Sequence, residues 1–487
     1  HTFLEQPGER EISYGEIDDL SARFANWLRT QGAKRGDRVV AQVDKSIASI
    51  ALYLGCLRSG LVYVPLNTAY TETEIDYFLA DSRPSVFVHR PQDATALQSV
   101  IDEFAGTVAQ LGTTRDDALA IKVAAMAPHT EIDASKPDDI AALVYTSGTT
   151  GRSKGAMVTH RNLTSNAVSL HRIWGWQPGD VLLHALPTFH VHGLFVALHT
   201  AMLNVSRVLF LPAFELQQVR LQLPRTTVMM GVPTFYTRLL TDRSFGHGDC
   251  AAIRLFISGS APLLPATFNE FRERTGHTIL ERYGMTEAGM ITSNPLNGER
   301  IAGTVGFALP EVEVRVVDET GKTVPAGSVG SVEARGPNIF RGYWGLPEKT
   351  AAEFSADGFF RTGDLGSLDA EDRLTLTGRA KDLIICGGYN VYPKEIEQCL
   401  DDMPGIDESA VIGVPHADMG EGVVAVVVRE AGASITEADI RMTVEQNLAR
   451  FKQPRHYAFV GTLPRNAMGK VQKNQLRETY HDVFQNG

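Results

Sequence analysis

Short apolar runs alternate with stretches of helical periodicity along the first part of the chain. "RVVAQV" (Arg38–Val43) predicts a strand, the pattern from Lys45 to Ser59 a helix, and "VYVPL" (Val62–Leu66) a second strand. A further helix begins near Thr71, and "SVFV" (Ser85–Val88) is a third strand. Strands alternating with helices of this length predict βαβ units and a parallel sheet. The middle of the chain repeats the pattern. "VLLHALP", "RVLFLP", "TTVMMGVP" and "IRLFISG" are short apolar runs ending in Pro or Gly, as buried parallel strands do. Ligands of open α/β sheets bind beyond the carboxyl ends of the strands, so chemistry is expected in the loops that follow these runs.

From Val312 to Gly378 the pattern changes to short strands, "EVRVVD", "GSVEARG" and "RLTLTG", separated by Gly, Pro and Asp turns. That texture predicts a small β-rich subdomain. An α+β pattern follows Arg379. A helix starts near Pro393, strands lie at Ala410–Gly413 and Val423–Val428, and Thr436 with Asp439 has capping-box spacing before a helix to about Leu448. A last strand is expected near Tyr457–Val460. The domain boundary falls at Gly378–Lys381. The expected fold class is α/β: a large N-terminal domain of parallel-sheet subdomains with a small β-rich subdomain, and a small α+β C-terminal domain.

The 487 residues exceed what one core serves, in agreement with several domains. An apolar fraction of 43% and a charged fraction of 21% exclude disordered and fibrous classes. A net charge of −11 argues against a nucleic-acid binder or a protein of anionic membrane surfaces. The apolar stretch from Ala48 to Leu66 comes nearest to the roughly 18 residues of a membrane span, and Arg58 interrupts it. "HTFLEQPGER" has neither the basic start nor the apolar segment of a signal peptide. The four cysteines, Cys56, Cys250, Cys386 and Cys399, form no CxxC pair, which fits a reducing compartment. A cytoplasmic protein without an obligate protein partner is expected.

One stretch belongs to neither helix nor strand. "YTSGTTGRSKG" (Tyr145–Gly155) is rich in Gly, Ser and Thr. Such loops hold phosphate through backbone N–H groups, with the hydroxyls and Lys154 adding donors. It is not a Walker A loop, because Gly151 is followed by Arg152 and Lys154 by Gly155. "YGMTE" (Tyr283–Glu287), "RTGDLG" (Arg361–Gly366), "GRAKDLIICGGYNVYPKEIE" (Gly378–Glu397) and "PRNAMGKVQK" (Pro464–Lys473) follow in that order. Together these motifs resemble the adenylate-forming superfamily of acyl-CoA synthetases, adenylation domains and luciferases, over nearly the whole chain.

The resemblance implies that a carboxylate attacks the α-phosphate of ATP, giving an acyl-adenylate and pyrophosphate, and that a thiol then displaces AMP. ATP, Mg²⁺ and coenzyme A are the implied cofactor and co-substrates. The loop residues Thr146, Ser147, Gly148, Thr149, Thr150, Gly151 and Lys154 are implied to hold the β- and γ-phosphates. Glu287, with Thr146, is implied to bind Mg²⁺, and Thr286 to contact the α-phosphate. Tyr283 is placed near adenine. Gly259, Ser260, Ala261 and Pro262 of "SGSAP" line the adenine side, and Glu281, Arg282, Gly284 and Met285 complete the nucleotide segment. Asp364 and Arg379 are implied to take the ribose. Lys470 is implied to approach the reacting carboxylate and α-phosphate, where an ammonium offsets developing charge. The family's domain scheme gives residues 1–378, a hinge at 379–381 centred on Lys381, and a mobile domain 382–487 that brings Gly387, Gly388 and Tyr389 to the CoA side.

Two arginines bear on the acid. Arg238 in "GVPTFYTRLL" shares a helix face with Thr234, and Arg282 directly precedes Tyr283. Guanidinium groups at an acyl pocket suit a second carboxylate, which they can grip bidentately. "ALPTFHVHGLF", "GVPTFYTRLL", "SGSAPLL" and "LERYGMTE" resemble malonyl-CoA synthetases. Arg238, Arg282 and Ser260 are assigned to the distal carboxylate of malonate, and His190 to the substrate pocket. His192 is expected to be structural only. Met290 either limits the pocket at the α-carbon or packs the core. Methylmalonate, another short dicarboxylate, or loading of a carrier-protein thiol are the alternatives.

Overall fold

The computed structural model describes residues 1–8, 10–114, 117–146, 153–386, 389–416, 419–448, 450–466 and 469–484. Two sheets form the frame of the N-terminal part. The first has the strand order Thr107–Gln110, Val86–His89, Arg38–Gln42, Val62–Pro65, Ile140–Thr146, Lys154–Thr159. Its pairings are parallel except the last, an antiparallel hairpin. Ser46 opens the helix Ile47–Arg58 with a capping box, and Thr71 caps the helix Glu72–Ser82. The second sheet places Leu280–Met285, Leu255–Ser258, Val228–Gly231, Val181–His184, Arg207–Phe210 and Thr2–Gln6 side by side in parallel. Short antiparallel strands flank both ends of that row.

One continuous apolar cluster joins these two sheets and their helices, with Trp27, Tyr53, Trp174, Tyr236 and Phe256 fully buried. The β-rich segment is an antiparallel sheet of Glu313–Val317, Gly330–Arg335, Phe360–Leu368 and Leu374–Arg379. Past residue 383 lies a separate sheet built on the long pair Ile406–His416 and Gly420–Arg429, with His456–Val460 added in parallel. Its uninterrupted "VVAVVV" has a simple cause. Val423, Ala425 and Val427 pack on the helices Pro393–Asp401 and Glu437–Asn447, while Val424, Val426 and Val428 pack on Leu463 and Leu476. Both faces are covered, so period-two alternation is absent.

The carboxyl ends of the parallel strands converge. His184, Gly231, Ser258 and Thr146 each end a strand, and the loops after them supply most of the residues singled out above.

Candidate functional site

Thr146 is the last residue of its strand and pairs across the hairpin with Lys154. Residues Ser147, Gly148, Thr149, Thr150 and Gly151 lie outside the described residues, as do Gly387 and Gly388 and the side chain of Tyr389. The Lys154 ammonium lies 5.0 Å from the Tyr343 ring centroid. The Tyr343 hydroxyl donates to Glu287 Oε1 at 3.0 Å, and the Thr146 hydroxyl also reaches this carboxylate. Burial raises the Glu287 pKa against the pull of these hydroxyls and of Arg379. The result is a buried carboxylate surrounded by oxygen donors at the root of the glycine-rich turn. Tyr343 went unnoticed in the sequence; its signal is the aromatic in "FRGYWG". Thr286 is half-buried beside Glu287.

A second group forms where two strands of the β-rich sheet pair. Asp364 stands opposite Arg379 in register, and its Oδ1 meets Arg379 Nε at 2.9 Å. The Tyr283 hydroxyl donates to Asp364 Oδ2. Gly284 follows Tyr283 because a Cβ there would stand 2.2 Å from Gly289 O; Met285 closes the turn, half-buried. The structure therefore gathers Tyr283, Asp364 and Arg379, the three groups expected around the nucleoside.

The third group surrounds Arg282. Its side chain is buried, 2% exposed, and its Nε and Nη2 have no hydrogen-bond partner among the described residues. Gly259 lies against it: a Cβ on Gly259 would stand 2.4 Å from Arg282 Cζ. Ser260 adopts a left-handed φ of 73°, uncommon for a residue with a side chain, and its hydroxyl is 3.2 Å from His192 Nδ1. His192 Nε2 is also buried with no partner among the described residues. His192, expected to be structural only, thus joins the cluster around Arg282. Burial lowers the Arg282 pKa to about 9, opposed by Tyr236 and Glu281. Burial likewise lowers His190 to about 4, so this imidazole is neutral. Ala261 is half-buried and Pro262 exposed at the outer end of the loop.

Glu281 alternates with Arg282 along the strand, so the two side chains leave opposite faces. Its buried carboxylate accepts from Leu263 N at 3.2 Å, just past the Ser258–Pro262 loop. Burial raises its pKa to about 8.

Arg238 lies on the helix Pro233–Thr241, whose Phe235 and Leu239 are buried. The guanidinium is exposed, 5.9 Å from the Phe214 ring centroid, and makes no ion pair with the described residues. It shares its face with Thr234, and Thr234 meets the loop that carries Lys470. A Cβ on Gly469 would stand 3.2 Å from Thr234 Cγ2. Lys470 keeps an exposed flank; the protein packed around it, and then the nearby Arg379, lower its ammonium to about 8. Asp364 and Lys381 also lie within electrostatic range. Lys381 sits in the short turn Ala380–Asp382 that leaves the β-rich sheet.

Gly469 has a φ of 74°, so Gly469→Ala adds backbone strain and a tight contact with Thr234. Strain of about 1–3 kcal/mol is expected in the arrangement seen here. In the reaction that the motifs imply, pyrophosphate-forming turnover is expected to fall by about tenfold, while thioester formation from supplied acyl-adenylate stays near wild type. Single-turnover measurement of both steps checks this; equal losses would contradict it.

A buried carboxylate at the base of a glycine-rich turn, a Tyr–Asp–Arg group, and a lysine brought over them by a separate domain define a nucleotide-dependent activating enzyme. Residues 1–344 match the AMP-binding enzyme family model and residues 395–470 the AMP-binding enzyme C-terminal domain. The chain belongs to the AMP-binding enzyme family. It is 36% identical over 512 residues to the mitochondrial malonate–CoA ligase of Mus musculus, covering 95% of this chain and 86% of that protein. It is also 34% identical to a feruloyl-CoA synthase of an Amycolatopsis species, over 99% of this chain and 96% of that one. Among solved structures, ATP-bound MatB from Rhodopseudomonas palustris is 50% identical, with a TM-score of 0.97 over 99% of this chain and 96% of that chain. The TM-score against the apo form of MatB is 0.85, so the overall arrangement here is that of the ATP-bound neighbour.

Proposed function

We propose that the protein is an ATP-dependent malonyl-CoA synthetase that forms malonyl-AMP and pyrophosphate, then transfers the malonyl group to CoA. Overall identity does not choose the acid, since a feruloyl-CoA synthase is nearly as similar as a malonate–CoA ligase. The observation that carries the choice is Arg282, a buried guanidinium with two N–H groups unpartnered. Such a group beside an aryl or alkyl chain would cost several kcal/mol. Beside a second carboxylate it forms charge-assisted hydrogen bonds.

In this reading Arg282 and Arg238, with Ser260 and His192, take the distal carboxylate, and His190 borders the reacting one. The reacting carboxylate oxygen attacks the α-phosphorus, the bond to the bridging oxygen breaks, and pyrophosphate leaves. Lys470 and Thr286 stabilise charge on the α-phosphate. Lys154, Thr146 and the turn after it hold the leaving pyrophosphate. Asp364 and Arg379 take the ribose hydroxyls, and Tyr283 borders the adenine. Glu287 and Thr146 offer oxygen donors only, with a single carboxylate, which fits a hard cation that also uses phosphate oxygens. Mg²⁺ held there would neutralise phosphate charge. The thiolate of CoA then attacks the acyl carbon, and AMP leaves.

The test is pyrophosphate release across acetate, propionate, malonate, methylmalonate, succinate and ferulate, with CoA and a holo-carrier protein compared as acceptors. Malonate with CoA is expected to give the highest kcat/KM. Preference for ferulate, or for the carrier, would overturn the reading.

We place the hinge at Lys381, between residues 1–378 and 382–487. Lys381→Pro fixes φ near −65° and is expected to leave malonyl-AMP formation near wild type while thioester formation falls by about 100-fold. Rapid-quench analysis of both products checks this, and normal thioester turnover would move the hinge elsewhere.

A further inference from the structure

One half-buried cation has no part in the chemistry above. The Lys45 ammonium donates to His184 O at 2.8 Å and bonds His184 Nδ1 at 2.7 Å. It lies 4.4 Å from the Phe210 ring centroid. No carboxylate among the described residues pairs with it, so nothing repays its burial by ion pairing. His184 is fully buried, and its Nε2 is 2.9 Å from Gly193 O.

The bonding assigns the tautomer. A carbonyl oxygen can only accept, so the ring proton lies on Nε2 and that N–H donates to Gly193 O; burial keeps the ring neutral, so Nδ1 accepts from Lys45. Gly193 belongs to a π-helical turn, His192–Ala197, a strained form that appears mostly in single turns and often at functional sites. A Cβ on Gly193 would stand 2.1 Å from Pro187 O, so the turn packs directly on backbone. Its first residue, His192, reaches Ser260 and lies in the cluster around Arg282.

We infer that Lys45 and His184 are positioning residues for the acid site: the chain Lys45–His184–Gly193 pins the π-turn and thereby sets His192 against Ser260 and Arg282. Lys45 sits just after the first strand of its own sheet, Arg38–Gln42, and His184 ends a strand of the other sheet. The relay therefore locks the two N-terminal sheets together at the edge where the acid binds. Its effect is specific to the acid side, because Tyr283, Asp364 and Arg379 are held by other elements. This inference rests on malonate being the acid at that site, but the tautomer does not.

The test uses the full chain and three variants, Lys45→Met, His184→Gln and His184→Leu. Lys45→Met is expected to raise KM for malonate by about tenfold, with KM for ATP and kcat within about twofold. His184→Gln keeps an acceptor for Lys45 and a donor for Gly193, and is expected to stay within about threefold of wild type. His184→Leu should behave as Lys45→Met does. ¹⁵N-histidine NMR gives the independent readout: His184 as the Nε2–H tautomer in wild type, with the Nδ1 resonance displaced in Lys45→Met, where that nitrogen loses its donor. If KM for malonate and ATP rise together, if neither moves, or if His184→Gln and His184→Leu are alike, the relay is overturned. Should Lys45→Met fail to fold, the pair at His184 decides. If wild type releases no pyrophosphate with malonate, the proposed function fails, and a wild-type Nδ1–H tautomer would still overturn the relay separately.

Discussion

Replacing Lys470 by alanine lowers malonyl-AMP formation by about 10²–10³-fold and leaves CoA attack on supplied malonyl-AMP within a few-fold of wild type. The size is that of removing one electrostatic donor from a preorganised site. The selectivity follows from geometry. Lys470 lies on the separate C-terminal domain, in electrostatic range of Arg379 and Asp364, on a loop seated against Thr234. In the function proposed above it serves the α-phosphate only in this arrangement. The sign of the pH dependence also follows. A lysine lowered to about 8 is charged below that pH and loses its charge above it. In the enzyme without nucleotide, ¹⁵N-detected titration of Lys470 is therefore expected to show a midpoint near 8, rising when ATP is added. Equal losses in both half-reactions would remove Lys470 from its separate role, and a midpoint near 10.5 would contradict its surroundings.

Removing the guanidinium of Arg282 has the second large effect, and it falls on choice of acid more than on rate. Arg282→Ala is expected to lower kcat/KM for malonate by about 100-fold or more, since stranding a buried charge costs roughly 3–5 kcal/mol and each 1.4 kcal/mol is tenfold. KM for ATP changes little. Propionate has no distal charge to strand, so the malonate/propionate ratio falls with it. Arg282→Lys rescues poorly because an ammonium lacks the planar fork. Arg238→Ala moves the ratio the same way but less, because its guanidinium is exposed and solvent can replace its contacts. Steady-state kinetics on both acids decides. A constant ratio, with all acids declining together, would assign these arginines to the fold or the nucleotide.

Much of the frame is visible in the pattern of apolar runs. "RVVAQV", "VYVPL" and "SVFV" become Arg38–Gln42, Val62–Pro65 and Val86–His89, paired in parallel. The four middle runs become adjacent strands of the second sheet. Strands buried on both faces carry their signature locally, so they are legible. Pairings made over long separations are not. Thr2–Gln6 joins the sheet through Arg207–Phe210, and no local feature announces it. The motifs identify the kinds of groups in the site but not which way each faces. Glu281 and Arg282 are neighbours in sequence, and alternation sends one to Leu263 and the other under Gly259. The π-turn at His192–Ala197 leaves no periodicity to read, which is why His192 looked structural.

The contact between Gly259 and Arg282 also constrains how this scaffold could change its substrate. The space that a Cβ at 259 would need is already filled by the guanidinium. A side chain at 259 therefore displaces the guanidinium from where it stands, and with it the grip on a second carboxylate. The glycine and the arginine act as one unit, so a scaffold turning to uncharged acids is expected to change both positions together.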